Sequence, residues 1–88
     1  MTKQEAVEKA RHDLAKRLNT DPANISESVE DADFPDMALG AGEDDEMSGQ
    51  MITRGWRVRL TADGKSYEYR ADKNQLRLYD YKGKNYRI

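Results

Sequence analysis

The first segment of the chain carries apolar residues at intervals of three and four positions. These residues are Val7, Ala10, Leu14 and Leu18. The spacing is typical of an amphipathic helix that buries one face. Thr2 stands three positions before Glu5, as in a capping box at a helix N-terminus, and Asn19 is a residue type that often ends a helix. We therefore predict a helix over residues 3–18.

A period of two replaces the helical period after residue 50. From Trp56 onward apolar and polar residues alternate, which places Trp56, Val58 and Leu60 on one face of a strand. Asp63-Gly64 is a two-residue hairpin signal, and Arg54-Gly55 is expected to interrupt the extended chain before it. We predict a β meander over residues 50–88, with strands at 50–53, 56–62, 65–71, 75–81 and 85–88.

A further extended segment lies between the helix and the meander. Residues 25–32 are predicted to form a strand with Ile25 and Val29 facing inward, although the spacing of these two residues also fits a helix. The apolar stripe of the helix and the apolar face of the sheet then cover each other. We predict a single α+β domain over residues 1–88, with one N-terminal amphipathic helix packed on an antiparallel sheet of three or four strands.

Residues 34–49 are predicted to form a long acidic, glycine-rich loop. Pro35 disfavours helical geometry at the residue before it, and glycines flank four consecutive acids, Glu43-Asp44-Asp45-Glu46. We expect residues 41–48 to be mobile, because four consecutive acids repel one another and no apolar residue anchors them before Met47. Weak binding of a divalent cation by these acids, or by Asp31, Asp33 and Asp36, is one alternative function. A solvated acidic loop is the simpler interpretation, and we expect no metal site.

The composition excludes several classes of site. The 88 residues contain no Cys, which removes disulfides, zinc–thiolate sites, iron–sulfur clusters and cysteine catalysis. His12 is the one histidine, and it lies off the apolar stripe of the predicted helix, so we expect no catalytic role. No apolar run reaches the roughly 20 residues of a membrane span. We expect a cytoplasmic, monomeric protein that is not an enzyme, needs no cofactor and does not bind membranes.

The charge is distributed unevenly along the chain. Residues 1–50 carry 5 basic and 13 acidic side chains, whereas residues 51–88 carry 10 basic and 4 acidic ones. Basic and aromatic side chains on an open sheet face are typical of proteins that hold single-stranded nucleic acid. The alternative face would consist of Arg57, Arg59, Arg70, Arg77, Tyr79 and Tyr81. Because the two halves neutralise each other and the net charge is −2, we do not expect a nucleic-acid partner.

Several motifs in the middle of the chain resemble those of a known group of proteins. They are Phe34-Pro35-Asp36-Met37-Ala38-Leu39-Gly40, Gln50, Gly55-Trp56-Arg57-Val58-Arg59-Leu60 and Tyr67-Glu68-Tyr69. Over residues 6–71 the chain resembles a family of small, largely uncharacterised bacterial proteins with the pattern aromatic-Pro-Asp, Leu-Gly, Gly-aromatic-Arg and Tyr-x-Tyr. It departs from that pattern at Phe34, Ala41 and Arg70, where Trp, Cys and His are common. The order of helix and strands is also similar to a PepSY-type module, a resemblance that implies binding or inhibition of peptidases.

A protein-interaction function follows from these observations. We predict a non-enzymatic interaction module, or a peptidase-inhibitor-like module, with an unidentified protein partner. The predicted contact residues are Phe34, Pro35, Asp36, Leu39, Gly40 and Trp56. Phe34 and Leu39 have a second interpretation, in which they only hold the long loop on the core, and Trp56 at a strand start is often a core anchor.

Overall fold

The chain folds into one long helix and five strands, and the computed structural model describes residues 1–88. The strands form a single antiparallel sheet in the order β1-β2-β3-β4-β5. The elements are α1 Lys3–Leu18, a 3-10 turn Pro22–Asn24, β1 Ser26–Phe34, β2 Thr53–Ala62, β3 Lys65–Ala71, β4 Leu76–Tyr81 and β5 Lys84–Arg87. The predicted α+β fold is confirmed, and the sheet has five strands because β1 joins it as an edge.

Helix α1 begins and ends where its local signals predict. The Thr2 hydroxyl accepts a hydrogen bond from the Glu5 amide at 3.1 Å, and the Thr2 amide donates to the Glu5 carboxylate at 2.8 Å. Asn19 adopts the left-handed conformation with φ of 53°, which is favourable for Asn after a helix. No helix in the structure is both long enough and apolar enough to cross a membrane.

The main core lies between α1 and one face of the sheet. The buried helix residues are Ala6, Val7, Ala10, Leu14 and Ala15. From the sheet, Val58, Leu60 and Tyr69 are fully buried against them, as the alternation in β2 predicts. Trp56 and Leu18, which we expected to be mostly buried, are only partly buried at the margin of this core.

Strands β1 and β2 differ from the prediction at the ends where they meet. Strand β1 runs to Phe34 instead of ending at residue 32, because Phe34 pairs with Thr53. The predicted strand at 50–53 is wrong except for Thr53, since residues 50–52 lie past the last pair and have no strand beside them. The predicted break at Arg54-Gly55 is also wrong. Gly55 lies within β2, and it is glycine because a Cβ there would lie 2.1 Å from the Ala71 carbonyl oxygen.

The last two strands contain an irregularity that the alternation of apolar residues did not predict. Asp80 has a φ of 50°, and the pairing of β4 with β5 shifts register between Leu78 and Tyr81. The shift turns Tyr81 towards the helix side, where its ring lies 6.0 Å from that of Tyr67. The predicted placement of Tyr81 on the outer face is therefore wrong. The boundaries of β4 and β5 otherwise differ from the prediction by one residue at each changed end.

Residues 35–49 cover the second face of the sheet. Three small or medium apolar residues of this segment, Ala38, Leu39 and Ala41, are buried, together with Phe34 at the end of β1. Our expectation that residues 41–48 lack an anchor is wrong, because Ala41 is buried and Glu46 is held by an ion pair to Arg77. The sheet therefore carries helix α1 on one face and this segment, hereafter the covering loop, on the other.

Candidate interaction site

Strand register places a row of arginines across the outer face of the sheet. Along this row Glu30 lies opposite Arg57, Arg57 opposite Arg70, Arg70 opposite Arg77 and Arg77 opposite Arg87. Like charges directly opposite each other destabilise a sheet. The arginine row therefore requires acceptors and aromatic rings around it, and the covering loop supplies many of them.

Arg70 lies at the centre of the row and holds the first part of the covering loop. Its guanidinium lies 3.6 Å from the centre of the Tyr79 ring and 5.2 Å from that of Phe34, which are favourable cation–π distances. The same group donates to the carbonyl oxygen of Leu39 at 3.0 Å and to the carboxylate of Glu68 at 2.7 Å. These contacts fix both the loop backbone and the guanidinium.

Arg77 holds the second part of the covering loop. Its side chain is only 5% exposed, and both terminal nitrogens donate to the Glu46 carboxylate, at 2.5 and 2.6 Å. The Nε donates to Gln75 at 2.7 Å. Hydrogen bonds from Arg77, with a further one from the Glu43 amide, lower the pKa of Glu46 to about 2. A bidentate pair of this kind is among the stronger and more specific polar contacts in proteins.

The motif Phe34-Pro35-Asp36 to Leu39-Gly40 forms the turn that brings the loop to Arg70. One Asp36 carboxylate oxygen accepts from the amides of Ala38 and Gly40, at 2.9 and 3.0 Å. Leu39 and Gly40 have φ of 60° and 64°, and a side chain at Gly40 would approach the Arg70 guanidinium to 2.8 Å. The motif therefore has a structural explanation in this chain.

The predicted partner-contact residues differ in how far they reach the surface. Phe34 is 1% exposed and Leu39 is fully buried, so neither reaches the surface. Asp36 and Gly40 are half-buried within the turn, and Pro35 is exposed. Trp56 is also half-buried, but it lies at the edge of a groove and faces solvent on one side.

The predicted nucleic-acid face is largely covered. Arg70 and Arg77 lie beneath the covering loop, and Arg57 contacts the carboxylates of Glu30 and Glu68, at 3.3 and 3.2 Å. Arg59 is exposed. Tyr79 is stacked on Arg70, and Tyr81 lies on the opposite side of the sheet. The six residues therefore do not form one open surface.

The acids of the covering loop do not converge. Glu46 is bound to Arg77, the carboxylate of Glu43 accepts from the Arg87 amide at 3.3 Å, and Asp44 and Asp45 are exposed. No group of three or more His, Asp and Glu side chains in the structure is placed so that it could hold a metal ion. The same is true of Asp31, Asp33 and Asp36.

Two helix residues, Asp13 and Arg17, form a hydrogen-bonded network with the buried Tyr69 of β3. The Tyr69 hydroxyl donates to the Asp13 carboxylate at 2.7 Å, and Arg17 donates to the same oxygen at 2.8 Å. Burial and the contact with Asp13 raise the pKa of the Tyr69 phenol above its usual range. His12, next to Asp13 in the chain, is exposed. The network fastens α1 to β3.

A groove at one end of the sheet gathers three of the five large exposed apolar side chains. Met37, Met51 and Ile52 are 50%, 64% and 74% exposed, and they line a groove of about 600 Å³ beside Trp56. The Met37 amide donates to the Gly49 carbonyl at 2.9 Å, which closes the covering loop and brings Met51 and Ile52 near Met37. We call this feature the methionine groove.

Our sequence reasoning missed three of the four groove residues. Met51 and Ile52 were assigned to a strand, where one of them would have faced the core, and Met37 was treated as part of a loop. The available signal was the apolar dipeptide Met51-Ile52 directly after the polar residues Ser48-Gly49-Gln50. Only Trp56 was predicted as a contact residue.

Comparison with known proteins gives a family without an assigned activity. A family model described as "Domain of unknown function (DUF8738)" matches residues 7–79. No curated protein and no solved structure matches the chain. Nothing in these comparisons supports the predicted resemblance to a PepSY-type module.

Proposed function

This chain belongs to the DUF8738 family, and we propose that it is a non-enzymatic protein-interaction module that binds its partner at the methionine groove. One observation carries the proposal: three large apolar side chains, each at least half exposed, lie together beside Trp56. Apolar patches rimmed by polar groups often mark interaction sites. The rim here carries Asp31, Arg54 and Lys73.

The side chains of the groove suit contact with a protein surface. Methionine is flexible and polarizable, so Met37 and Met51 can adapt to an apolar partner side chain. Tryptophan, the residue type at position 56, is enriched among the residues that contribute most of the binding energy at interfaces. Since Arg70 and Arg77 hold the covering loop on the sheet, Met37 is presented from a fastened segment, which reduces the entropy lost on binding.

Peptidases are one partner class that the proposal includes. The predicted resemblance to a PepSY-type module is the reason for testing them, and the groove provides the surface on which such a partner would dock. Nucleic-acid binding is less well supported, because the covering loop contacts Arg70 and Arg77. Cation binding is also less well supported, because Glu46 forms an ion pair with Arg77.

The methionine methyl groups offer a direct test. The chain has four methionines, of which Met37 and Met51 line the groove. Met47 is 97% exposed and lies outside it. A photo-crosslinking residue at position 51 should form an adduct of one discrete mass in cell extract, whereas the same residue at position 47 should not. The captured protein, or a peptidase from a defined panel, should then shift the methyl signals of Met37 and Met51.

Controls separate loss of binding from loss of folding. Met51→Ser should abolish the adduct formed from a crosslinker at position 37 and leave the amide spectrum of the sheet unchanged. Met47→Ser should leave the adduct intact. Equal adducts from positions 47 and 51, or methyl shifts confined to Met47, would contradict the proposed site.

A further inference from the structure

Strand β1 is a long edge that has no neighbour on one side. It pairs only with β2, which leaves the outward amides and carbonyls of its nine residues without a strand partner. Its register with β2 continues from Ser26 to Phe34 without a bulge. Every residue of the strand except Phe34 is exposed or half-exposed. An edge of this kind is a template for another strand.

The opposite edge of the same sheet is protected. Strand β5 has only four residues and meets β4 through a register shift. Two contacts to the covering loop occupy it further: the Asn85 side chain donates to the Gly42 carbonyl at 2.9 Å, and the Arg87 amide donates to Glu43. Natural sheets commonly blunt their edges by shortness, bulges and covering loops. Strand β1 has none of these three devices, and its four acidic side chains are the feature that would deter pairing with an acidic or uncharged strand.

The charge of β1 selects its partner. Four of its nine residues are acids, Glu27, Glu30, Asp31 and Asp33, and none is basic. Their contacts within the chain, to Arg11, Arg57, Lys3 and Arg54, leave the carboxylates of Glu30, Asp31 and Asp33 more than half exposed. Each carboxylate can accept further hydrogen bonds from a cation across the edge.

We propose that β1 binds an extended, Lys- or Arg-rich segment of another protein, which adds to the sheet as a sixth strand beside β1. The main chain of the segment would form the ladder hydrogen bonds. Its basic side chains would lie against Asp31 and Asp33, which share one face of the sheet, whereas Glu30 lies on the other face. A second copy of this chain is a poor occupant, because antiparallel pairing of two β1 strands brings acids opposite acids. The inference goes beyond the methionine groove, since strand addition does not need the groove.

Synthetic peptides provide the test. The probe is a nine-residue peptide of alternating Lys and Thr. One control peptide replaces Lys with Glu, and a second replaces alternate Thr with Pro, which keeps the charge and removes ladder donors. We expect saturable amide shifts and slower amide exchange over residues 26–34 with the Lys peptide only, weakening as salt is raised.

Variants of the protein complete the test. Asp33→Lys should lower the affinity for the Lys peptide by about fivefold, because it removes one exposed ion pair and adds a repulsion. Asp45→Lys, which makes the same charge change in the covering loop, should change the affinity less than twofold. Met51→Ser should leave peptide binding unchanged. The experiment therefore tests peptide binding at β1 independently of partner binding at the methionine groove.

Three results would overturn the proposal. Equal binding of the Pro-containing peptide would mean that charge alone, without strand addition, accounts for the interaction. Shifts centred on residues 43–46 would place the peptide on the covering loop. Concentration-dependent dimerisation in sedimentation experiments, with protection of residues 26–34, would assign the edge to a second copy of the chain.

Discussion

Removal of the Glu46 carboxylate is expected to cost a large part of the stability of this chain. Arg77 is 5% exposed, and two of its three donor nitrogens bind Glu46. In Glu46→Ala the Arg77 guanidinium keeps its hydrogen bonds to the Gln75 side chain and to the Ala41 carbonyl oxygen. It loses the negative charge that neutralises it. Breaking a fully buried ion pair by deleting one partner costs about 3–5 kcal/mol. Because the Glu46 side chain is 17% exposed, we expect a smaller loss of about 1.5–3 kcal/mol, the range for hydrogen bonds to charged groups. At ~0.05–0.15 kcal/mol per residue, the free energy of unfolding of the whole chain is about 4–13 kcal/mol.

Urea unfolding followed by Trp56 fluorescence measures this loss, because Trp56 is the one tryptophan. Asp45→Ala removes the neighbouring exposed acid and should change the unfolding free energy by less than about 0.5 kcal/mol. The double variant Glu46→Ala/Arg77→Met should recover most of the loss, since replacing both members of a buried pair with apolar groups is often neutral.

The pH dependence supplies a second measurement of the same pair. The hydrogen bonds from Arg77 lower the pKa of Glu46 from its ordinary value of 4.5 to about 2. A lowered pKa in the folded state contributes stability above the unfolded value, and that contribution is lost as pH falls towards the folded value. The difference between wild type and Glu46→Ala should therefore be full at pH 7 and shrink between pH 5 and 2.

A small effect would refute the reasoning. If Glu46→Ala changes the unfolding free energy at pH 7 by less than about 1 kcal/mol, Arg77 is not held by this pair. A loss that does not diminish at low pH would show that packing, and not the charge of Glu46, stabilises the covering loop.

Three further substitutions test the core, the polar network and the sheet. Leu60→Ala should cost about 2–5 kcal/mol in urea unfolding, because Leu60 is fully buried; a loss under 0.5 kcal/mol would reverse the face assignment of β2. Tyr69→Phe should cost about 1–2 kcal/mol, since it removes the hydrogen bond to Asp13, and an unchanged melting temperature would contradict that role. Gly55→Ala should cost about 1–3 kcal/mol, because the added methyl meets the Ala71 carbonyl at 2.1 Å; full stability would show that the strands can separate there.

The features that could be predicted from the sequence are those that depend on neighbours within a few residues. The helix bounds follow from the apolar spacing, from Thr2 with Glu5 and from Asn19, and all of these act within one turn. The hairpin at Asp63-Gly64 follows from two residues that favour a tight turn. The buried face of β2 follows from strict alternation, because a strand has only two faces.

Candidate residues chosen by motif were less informative about the surface. Phe34, Asp36 and Leu39 stood out in the sequence, and in the structure they form the turn that fastens the covering loop. A motif that builds a backbone turn and one that contacts a partner have the same local pattern. Met37, by contrast, reaches the surface only because the two ends of the loop are joined by a backbone hydrogen bond from its amide.

Local sequence signals define helix α1, the hairpin at Asp63-Gly64 and the buried face of β2. The covering loop on the second face of the sheet, the arginine row and the free edge of β1 arise from contacts between segments that are distant in the chain. The row exists because the pairing of five strands places Glu30, Arg57, Arg70, Arg77 and Arg87 side by side. Glu46 meets Arg77 across 31 positions of the chain. Periodicity reports a residue's own neighbours, but pairing over such separations depends on how the whole sheet is assembled. For that reason the acidic first half and the basic second half of the chain predicted that the two halves neutralise each other. They did not predict which acid pairs with which arginine.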